Sequence, residues 1–311
     1  MNPSDLSNLS RRNFVKTASI VGGAALFNSG LLHAAALHLP LGLQLYSVRD
    51  LLPKDYDGTL KQVGALGFKD VESAGYFNHS PAEVKAGLSA AGLNLVSAHH
   101  PMPLLRTKLD EILAYAKELG VPTLVCSSPE LKDPSKLKSM TPEQRHHAFT
   151  LEDWRWNAEQ LNTIADKVHA AGLNFAYHNH YTEFHVTDGV TPYDELMRLT
   201  DPAKVTMEMD CGWVVIGGGK PVEFLRKYAK RITMLHVKDF KPIAITPGSG
   251  ASGEPSPVEL GHGFIDYAPI FAEAAKGGNI KHIFVEQEAF TVPPMDSLKQ
   301  DADYMHKLGV A

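Results

Sequence analysis

Carboxylate and imidazole side chains stand at the ends of several apolar segments of this sequence. The clearest examples are Asp210, His236 and Glu286. Together they would offer two carboxylate oxygens and one imidazole nitrogen, and such a set without a thiolate suits manganese, cobalt, magnesium or zinc. We therefore predict one divalent cation, with manganese as the first choice, provided that the fold brings these three side chains together.

A fourth ligand is expected from the segment Tyr177-His178-Asn179-His180, which is followed by Glu183. His178 and His180 would point to the same side of an extended strand, whereas Glu183 lies three residues further along the chain. We take Glu183 as the fourth ligand, with one of the two histidines as the alternative. If Glu183 is the ligand, His178 and His180 would bind substrate hydroxyls or transfer a proton, because imidazole titrates near neutral pH.

Further polar residues at other segment ends would complete the site. The expected substrate-binding residues are Gln44, Glu72, His99, His178 and Trp213. The expected catalytic residues are Glu183, Glu286, His180 and Lys238. In this set the ammonium group of Lys238 would stabilise a developing oxyanion.

A recurring pattern indicates which elements position these side chains. Helix-like segments end in glycine at Gly67, Gly92, Gly120 and Gly172, and an apolar run follows each glycine at once. Glycine tolerates the left-handed conformation that ends a helix, and the residues after it are strand formers. The pattern is therefore typical of alternating helices and strands.

Eight such units predict an α/β fold, a closed (β/α)8 barrel, over residues 37–311. The strands are expected near 41–46, 68–73, 93–99, 121–127, 173–178, 204–210, 232–237 and 281–287. The helices are expected near 55–66, 81–91, 105–119, 151–171, 192–199, 221–229, 266–276 and 296–308. In a barrel the carboxyl ends of all strands meet at one mouth, which would collect the polar residues named above. An open doubly wound sheet is the alternative, but no G-x-G-x-x-G motif follows the first strand.

Composition excludes several classes of protein. The hydrophobic fraction of 44% is that of a globular chain. The formal net charge is −5, and it becomes −7 without the first 36 residues, which carry three basic and one acidic side chain. Such a chain lacks the basic surface that nucleic-acid binding requires. Cys126 and Cys211 are too few and too far apart for a disulfide framework.

The first 36 residues have the pattern of a twin-arginine export signal. Ser10-Arg11-Arg12-Asn13-Phe14-Val15-Lys16 precedes an apolar run from Ala18 to Leu32, and Ala34-Ala35-Ala36 offers a cleavage site. The run is shorter than the roughly 20 apolar residues that span a bilayer. We expect a periplasmic protein that is exported in the folded state by the twin-arginine machinery, without stable membrane insertion. A retained membrane anchor is the alternative.

Five segments resemble a known family: Gly42 to Arg49, Tyr177 to Phe184, Met207 to Trp213, His236 to Asp239 and Gly261 to Asp266. Together they resemble the sugar phosphate isomerase/epimerase family, whose xylose isomerase-like barrel is shared with the family 2 AP endonucleases. The resemblance implies one divalent metal held by Glu, Asp, His and Glu at strand ends, and a sugar or polyol as the substrate. By position the last three ligands are Asp210, His236 and Glu286. Many relatives have Glu in place of His178, which leaves Glu183 as a displaced substitute.

The residues and the resemblance predict a sugar isomerase or epimerase that acts through an enediolate. The metal would polarise a carbonyl, Glu286 or Glu183 would remove the α-proton, and a second acid would return it. If the next carbon carries a leaving group, the same intermediate would expel it. The alternative is therefore β-elimination, for instance from a 3-keto-glycoside. An AP endonuclease and a non-catalytic sugar-binding protein are the remaining alternatives, and the negative charge argues against the first.

Overall fold

Eight parallel strands close into a barrel in the computed structural model, which describes residues 37–141 and 148–310. The predicted barrel is therefore confirmed. The strands are β1 (Leu41–Gln44), β2 (Asp70–Ser73), β3 (Asn94–His100), β4 (Thr123–Cys126), β5 (Asn174–His178), β6 (Thr206–Asp210), β7 (Ile232–Val237) and β8 (His282–Val285). Neighbours around the barrel follow the chain order, and β8 closes the ring by pairing with β1, where Ile283 stands opposite Leu41.

Helices connect the strands on every side of the ring. In the described part of the chain they are α1 (Tyr56–Ala65), α2 (Pro81–Ala91), α3 (Met102–Leu119), α4 (Leu151–Ala170), α5 (Pro192–Leu199), α6 (Cys211–Ile216), α7 (Pro221–Lys227), α8 (Ala268–Gly277) and α9 (Pro294–Lys307). Helix α6 was not predicted, because it occupies only six residues and begins directly after β6. The segment between β7 and β8 also contains four two-residue strands in two small antiparallel sheets.

The glycines that end the helices set the turns from helix to strand. Helix α2 ends at Gly92 with φ 66° and α3 ends at Gly120 with φ 79°, both in the left-handed region. Residues with a Cβ rarely adopt this conformation, and the apolar residues that follow, Leu93 and Val121, are buried. The local sequence therefore reverses the chain at the point where the next strand must begin.

The inside of the barrel has an apolar layer beneath a polar one. A separate buried apolar cluster takes one residue from each of β4, β5, β7 and β8: Val125, Ala176, Met234 and Phe284. Side chains alternate between the two faces of a strand, so residues two positions apart share a face. His178, His236 and Glu286 each follow a member of this cluster by two residues, and they therefore stand above it inside the barrel.

Asp239 fixes the loop that follows β7. Its carboxylate accepts hydrogen bonds from the backbone N–H groups of Phe240 (2.9 Å), Gly261 (3.1 Å), Gly263 (3.0 Å) and Ile265 (3.1 Å). A Cβ atom at Gly263 would lie 2.0 Å from Asp239 Oδ1, so only glycine allows this approach. One buried side chain therefore holds the two ends of this loop together.

Three further predictions concern the export signal, membrane insertion and the cysteines. The predicted export signal at residues 1–36 lies outside the described residues. Among the residues that are described, no helix has both the length and the apolar character needed to cross a bilayer. Cys126 and Cys211 are both buried and unbridged, as their number and spacing predicted.

A buried acid on α9 should make stability depend on pH. Asp301 accepts a hydrogen bond from Leu260 N–H at 2.7 Å, and burial raises its pKa to about 7. The folded state then binds more protons than the unfolded state, so stability falls as pH rises from about 4 towards 7. We expect Asp301→Asn to raise the free energy of unfolding by about 1–3 kcal/mol at pH 8 and by less at pH 5. Urea denaturation at both pH values measures this difference, and an equal effect at the two would contradict it.

Candidate metal centre

Three predicted metal ligands meet inside the barrel. Asp210 ends β6, His236 lies on β7, and Glu286 directly follows β8. With His178 at the end of β5, they form a buried group whose donor atoms all lie within 4.8 Å of one another. We call these four residues the Asp210 group. Two carboxylates and two imidazoles in this space are a suitable ligand set for a divalent cation.

A second group overlaps the first. It consists of His99, His178, Glu208 and His236, whose donor atoms also lie within 4.8 Å of one another. We call it the Glu208 group, and it shares His178 and His236 with the Asp210 group. Glu208 precedes Asp210 by two residues on β6, so that both carboxylates point into the barrel and Glu208 lies deeper.

Short contacts join the Glu208 group to Glu72 on β2. Oε2 of Glu208 lies 2.7 Å from His99 Nε2, 3.0 Å from His178 Nδ1 and 3.3 Å from His236 Nε2. Oε1 of Glu72 lies 2.8 Å from the Nε2 atoms of both His99 and His236. Gln44 donates to the same Glu72 oxygen at 2.7 Å. Three predicted substrate-binding residues, Gln44, Glu72 and His99, therefore lie against the two groups.

Lys238 brings an ammonium group to the Asp210 group. Its buried Nζ lies 2.6 Å from Glu286 Oε2 and 3.1 Å from Asp210 Oδ2, and it also contacts the Glu288 carboxylate. The ring of Trp213 lies 4.8 Å from this Nζ. Burial alone would lower the pKa of Lys238, but the three carboxylates raise it well above its usual value. Lys238 is therefore charged at neutral pH.

Neighbouring charges also set the protonation of the deeper residues. Burial alone would lower the pKa of His99, but Glu72 and Glu208 raise it to about 9. Burial would raise the pKa of Glu208, but His236 and His99 hold it well below its usual range. Burial raises the pKa of Asp210, and Lys238 offsets part of that rise. Without a metal, protonated imidazoles thus balance the deeper carboxylates.

The structure does not place Glu183 with the predicted ligands. Its Oε1 accepts from Tyr177 O–H (2.7 Å) and from the backbone N–H of His180 (3.0 Å), and its Oε2 accepts from Thr182 O–H (2.9 Å). Tyr177 and His178 are adjacent on β5 and face opposite sides of the strand. Glu183 thus lies on the same side of β5 as Tyr177, outside the space that the two groups occupy. Glu183 therefore does not lie where we predicted a ligand and base: it stabilises the turn at Thr182–Phe184, and His178 is the residue of β5 that lies with Asp210, His236 and Glu286.

His180 and Trp213 lie at the edge of the site. The His180 ring is half-buried, 5.1 Å from the His178 ring and 6.1 Å from that of Trp213. The backbone N–H of Trp213 donates to Asp210 Oδ1 at 2.8 Å, which fixes this carboxylate at the start of α6. The position of His180 is compatible with its predicted role in proton transfer.

Two residues of the site were not predicted. Glu208 is buried beside three imidazoles, and Glu288 holds the outer side of Lys238 with part of its side chain exposed. The alternation Thr206-Met207-Glu208-Met209-Asp210 could have identified Glu208, because it places both acids on one face. Glu288 follows the end of β8, where alternation no longer applies.

Unpartnered buried oxygens test whether a metal fits. Among the described residues, Glu72 Oε2, Glu208 Oε1 and Asp210 Oδ2 are buried without a hydrogen-bond donor in good geometry. Leaving such oxygens unsatisfied costs free energy, of order 1–3 kcal/mol each. All three belong to carboxylates at or beside the two groups. Asp210 Oδ2 has the ammonium group of Lys238 3.1 Å away, and a divalent cation would satisfy the Glu72 and Glu208 oxygens that the protein leaves open. The residues present therefore fit a metal.

Comparison with known proteins agrees with the barrel fold. The family described as "Xylose isomerase-like TIM barrel" matches residues 60–308. An inosose dehydratase from Geobacillus kaustophilus is 27% identical over 272 residues, covering 81% of this chain and 87% of the relative. A solved sugar phosphate isomerase/epimerase from Parabacteroides distasonis is 26% identical with a TM-score of 0.67, covering 86% of this chain and 98% of the other. The IOLI protein, solved with a bound zinc atom, shares the fold at 12% identity with a TM-score of 0.66, covering 87% and 98%.

Proposed function

This chain belongs to the family of xylose isomerase-like TIM barrels, and we propose that it is a divalent-cation-dependent lyase that acts on a keto-sugar or a related keto-polyol. The observation that carries the proposal is the contact of Lys238 Nζ with both carboxylates of the Asp210 group. It combines a cation site with a fixed positive charge, which is the arrangement that stabilises an enolate oxygen. The inosose dehydratases among the relatives support elimination over isomerisation.

The Asp210 group and Lys238 have separate roles in this proposal. His178, Asp210, His236 and Glu286 would hold the cation, which supplies Lewis-acid polarisation of the substrate carbonyl when bound. We propose manganese, since two carboxylates and two imidazoles make a mixed oxygen and nitrogen set. Lys238 would donate a hydrogen bond to the oxygen that gains negative charge.

Proton transfer would fall to residues at the rim. We assign removal of the α-proton to Glu288 instead of Glu286, because a carboxylate that holds a cation is a weaker base. Glu288 contacts Lys238 and keeps part of its side chain exposed towards the mouth. His180, beside Trp213, would give a proton to the leaving oxygen. The carbon–oxygen bond to the leaving group then breaks as the enolate electrons form the new double bond.

An isomerase or epimerase is the second candidate, favoured by the Parabacteroides distasonis protein at 26% identity. Both reactions begin with loss of the same α-proton, and they differ only in whether a leaving group departs. We further propose that residues 1–36 direct export to the periplasm and that residues 37–311 form the mature enzyme. An exported enzyme of this kind would meet free sugars and glycosides, so that a 3-keto-glycoside is the substrate class we favour.

A product assay tests the proposal. The purified protein, loaded with Mn²⁺, is incubated with a p-nitrophenyl 3-keto-glucoside in deuterium oxide. We expect release of p-nitrophenol that stops when a chelator removes the metal. An isomeric keto-sugar carrying deuterium at the α-carbon, with the aglycone still attached, would support the isomerase instead. Binding without either product and without deuterium exchange would contradict both candidates.

A further inference from the structure

We propose that the Glu208 group is a second cation site, deeper in the barrel than the first. The proposal rests on the proposed function in one respect, since it takes the Asp210 group as the place of the first cation. The donors are the imidazoles of His99, His178 and His236 and the carboxylate of Glu208, with Glu72 beside them. Three imidazoles with a carboxylate are a ligand set typical of zinc.

The first argument is that the close contacts outnumber the available protons. His99 Nε2 lies within 2.8 Å of oxygens from both Glu72 and Glu208, and His236 Nε2 lies 2.8 Å and 3.3 Å from the same two oxygens. A ring nitrogen carries at most one hydrogen, so each can donate one good hydrogen bond. In a tetrahedral zinc site with bonds of about 2.1 Å, neighbouring donor atoms lie about 3.4 Å apart. The observed distances of 2.7–3.3 Å are shorter than this value, so the same donor atoms would move apart by about 0.1–0.7 Å around a central ion.

The second argument comes from charge and burial. Glu72 and Glu208 are fully buried, and each leaves one oxygen, Oε2 and Oε1 respectively, without a hydrogen-bond donor. Lys238 contacts Asp210, Glu286 and Glu288 instead, so it does not neutralise this deeper pair. Without a metal only the adjacent imidazoles of His99, His178 and His236 face these two carboxylates, and one divalent ion would pair with both carboxylates and with the imidazole nitrogens. Buried charges of this kind are stable only when they are paired or bound to a metal.

The third argument is that both sites can be filled at once. His236 turns its two ring nitrogens to different groups: Nδ1 lies 3.1 Å from Glu286 Oε2, and Nε2 lies 3.3 Å from Glu208 Oε2. One imidazole can therefore contribute to both sites through separate atoms. Asp210 and Glu286 serve only the first site, and His99 and Glu208 only the second. Each site thus keeps ligands that the other does not use.

Metal stoichiometry tests the proposal. Metal-free protein is loaded with excess ZnCl2 and desalted, and the zinc bound per chain is measured by inductively coupled plasma mass spectrometry. We expect two equivalents in the unchanged protein and one in Glu208→Gln. His99→Asn, which removes a donor of the Glu208 group from a different strand, should also keep one. Asp301→Asn, a buried acid outside both groups, is the matched control and should keep two. Anomalous diffraction from zinc-soaked crystals should show one peak at each group.

The alternative outcomes separate this proposal from the proposed function. One equivalent that is lost in Glu286→Gln and kept in Glu208→Gln would overturn the second site and leave the proposed lyase intact. One equivalent that is lost in Glu208→Gln and kept in Glu286→Gln would move the single ion to the Glu208 group and overturn the arrangement of both proposals. No bound zinc in the unchanged protein would remove the cation from both.

Discussion

Glu286→Gln is expected to lower kcat/KM by about a thousandfold while the barrel stays folded. The substitution keeps the shape of the side chain and removes the negative charge that a cation at the Asp210 group needs. Lys238 keeps its contacts with Asp210 and Glu288, so that its buried charge stays paired. Cation affinity should therefore fall together with activity, whereas the circular dichroism spectrum should not change.

The matched control for this variant is Glu273→Gln on α8. Glu273 forms an ion pair with Arg226 on α7, outside the Asp210 and Glu208 groups, and surface pairs contribute little to stability. This variant should keep full metal content and full turnover. Full turnover in Glu286→Gln under the same conditions would remove Glu286 from the site, and loss of activity with unchanged cation affinity would remove it from the cation.

Lys238→Met is expected to have opposite effects on turnover and on metal binding. Loss of the ammonium group that would stabilise the enolate should lower kcat by about 100- to 1000-fold. The same loss removes a positive charge beside Asp210 and Glu286, so that the affinity for a divalent cation should rise, by about tenfold. Without metal, the variant should be destabilised by about 3–5 kcal/mol, since it leaves buried carboxylates unpaired.

Three measurements check the Lys238 prediction: turnover, calorimetric titration with Mn²⁺, and thermal unfolding with and without the metal. Added Mn²⁺ should restore the melting temperature but not the turnover. Lys220→Met, which removes an exposed lysine paired with Glu223, is the control and should change none of the three. A variant of Lys238 that regains turnover when metal restores its stability would show that the lysine has only a structural role.

The barrel could be predicted from the sequence because its signals are local. Glycine after a helix, followed by an apolar run, marks the start of a strand without reference to the rest of the chain, as at Gly92 and Gly120. The strand ends then identify Asp210, His236 and Glu286, because parallel strands of a closed barrel end on one side. Sequence reasoning therefore reached the three members of the Asp210 group that lie on or directly after β6, β7 and β8.

The errors of prediction lie where a loop or a neighbouring strand decides the outcome. The direction of the Glu183 side chain depends on the turn at Thr182–Phe184. Its carboxylate accepts hydrogen bonds from Tyr177 and from the His180 backbone, which keep it on the outer face of β5. Glu208 becomes a site residue only because β3 and β7 place His99 and His236 against it. The contacts of Glu208 join residues far apart in the chain, so the alternation along β6 could indicate which way this side chain faces but not which imidazoles it meets.

The apolar layer beneath the polar residues closes the site on the side of the barrel interior. Val125, Ala176, Met234 and Phe284 are buried and have no polar atom in their side chains that could pass water or protons downwards. In the proposed lyase, sugar, leaving group and solvent would therefore all pass through the mouth at the carboxyl ends of the strands. Such a site would take a free sugar or the terminal unit of a longer glycan. We expect the released aglycone to inhibit by competing for the same opening.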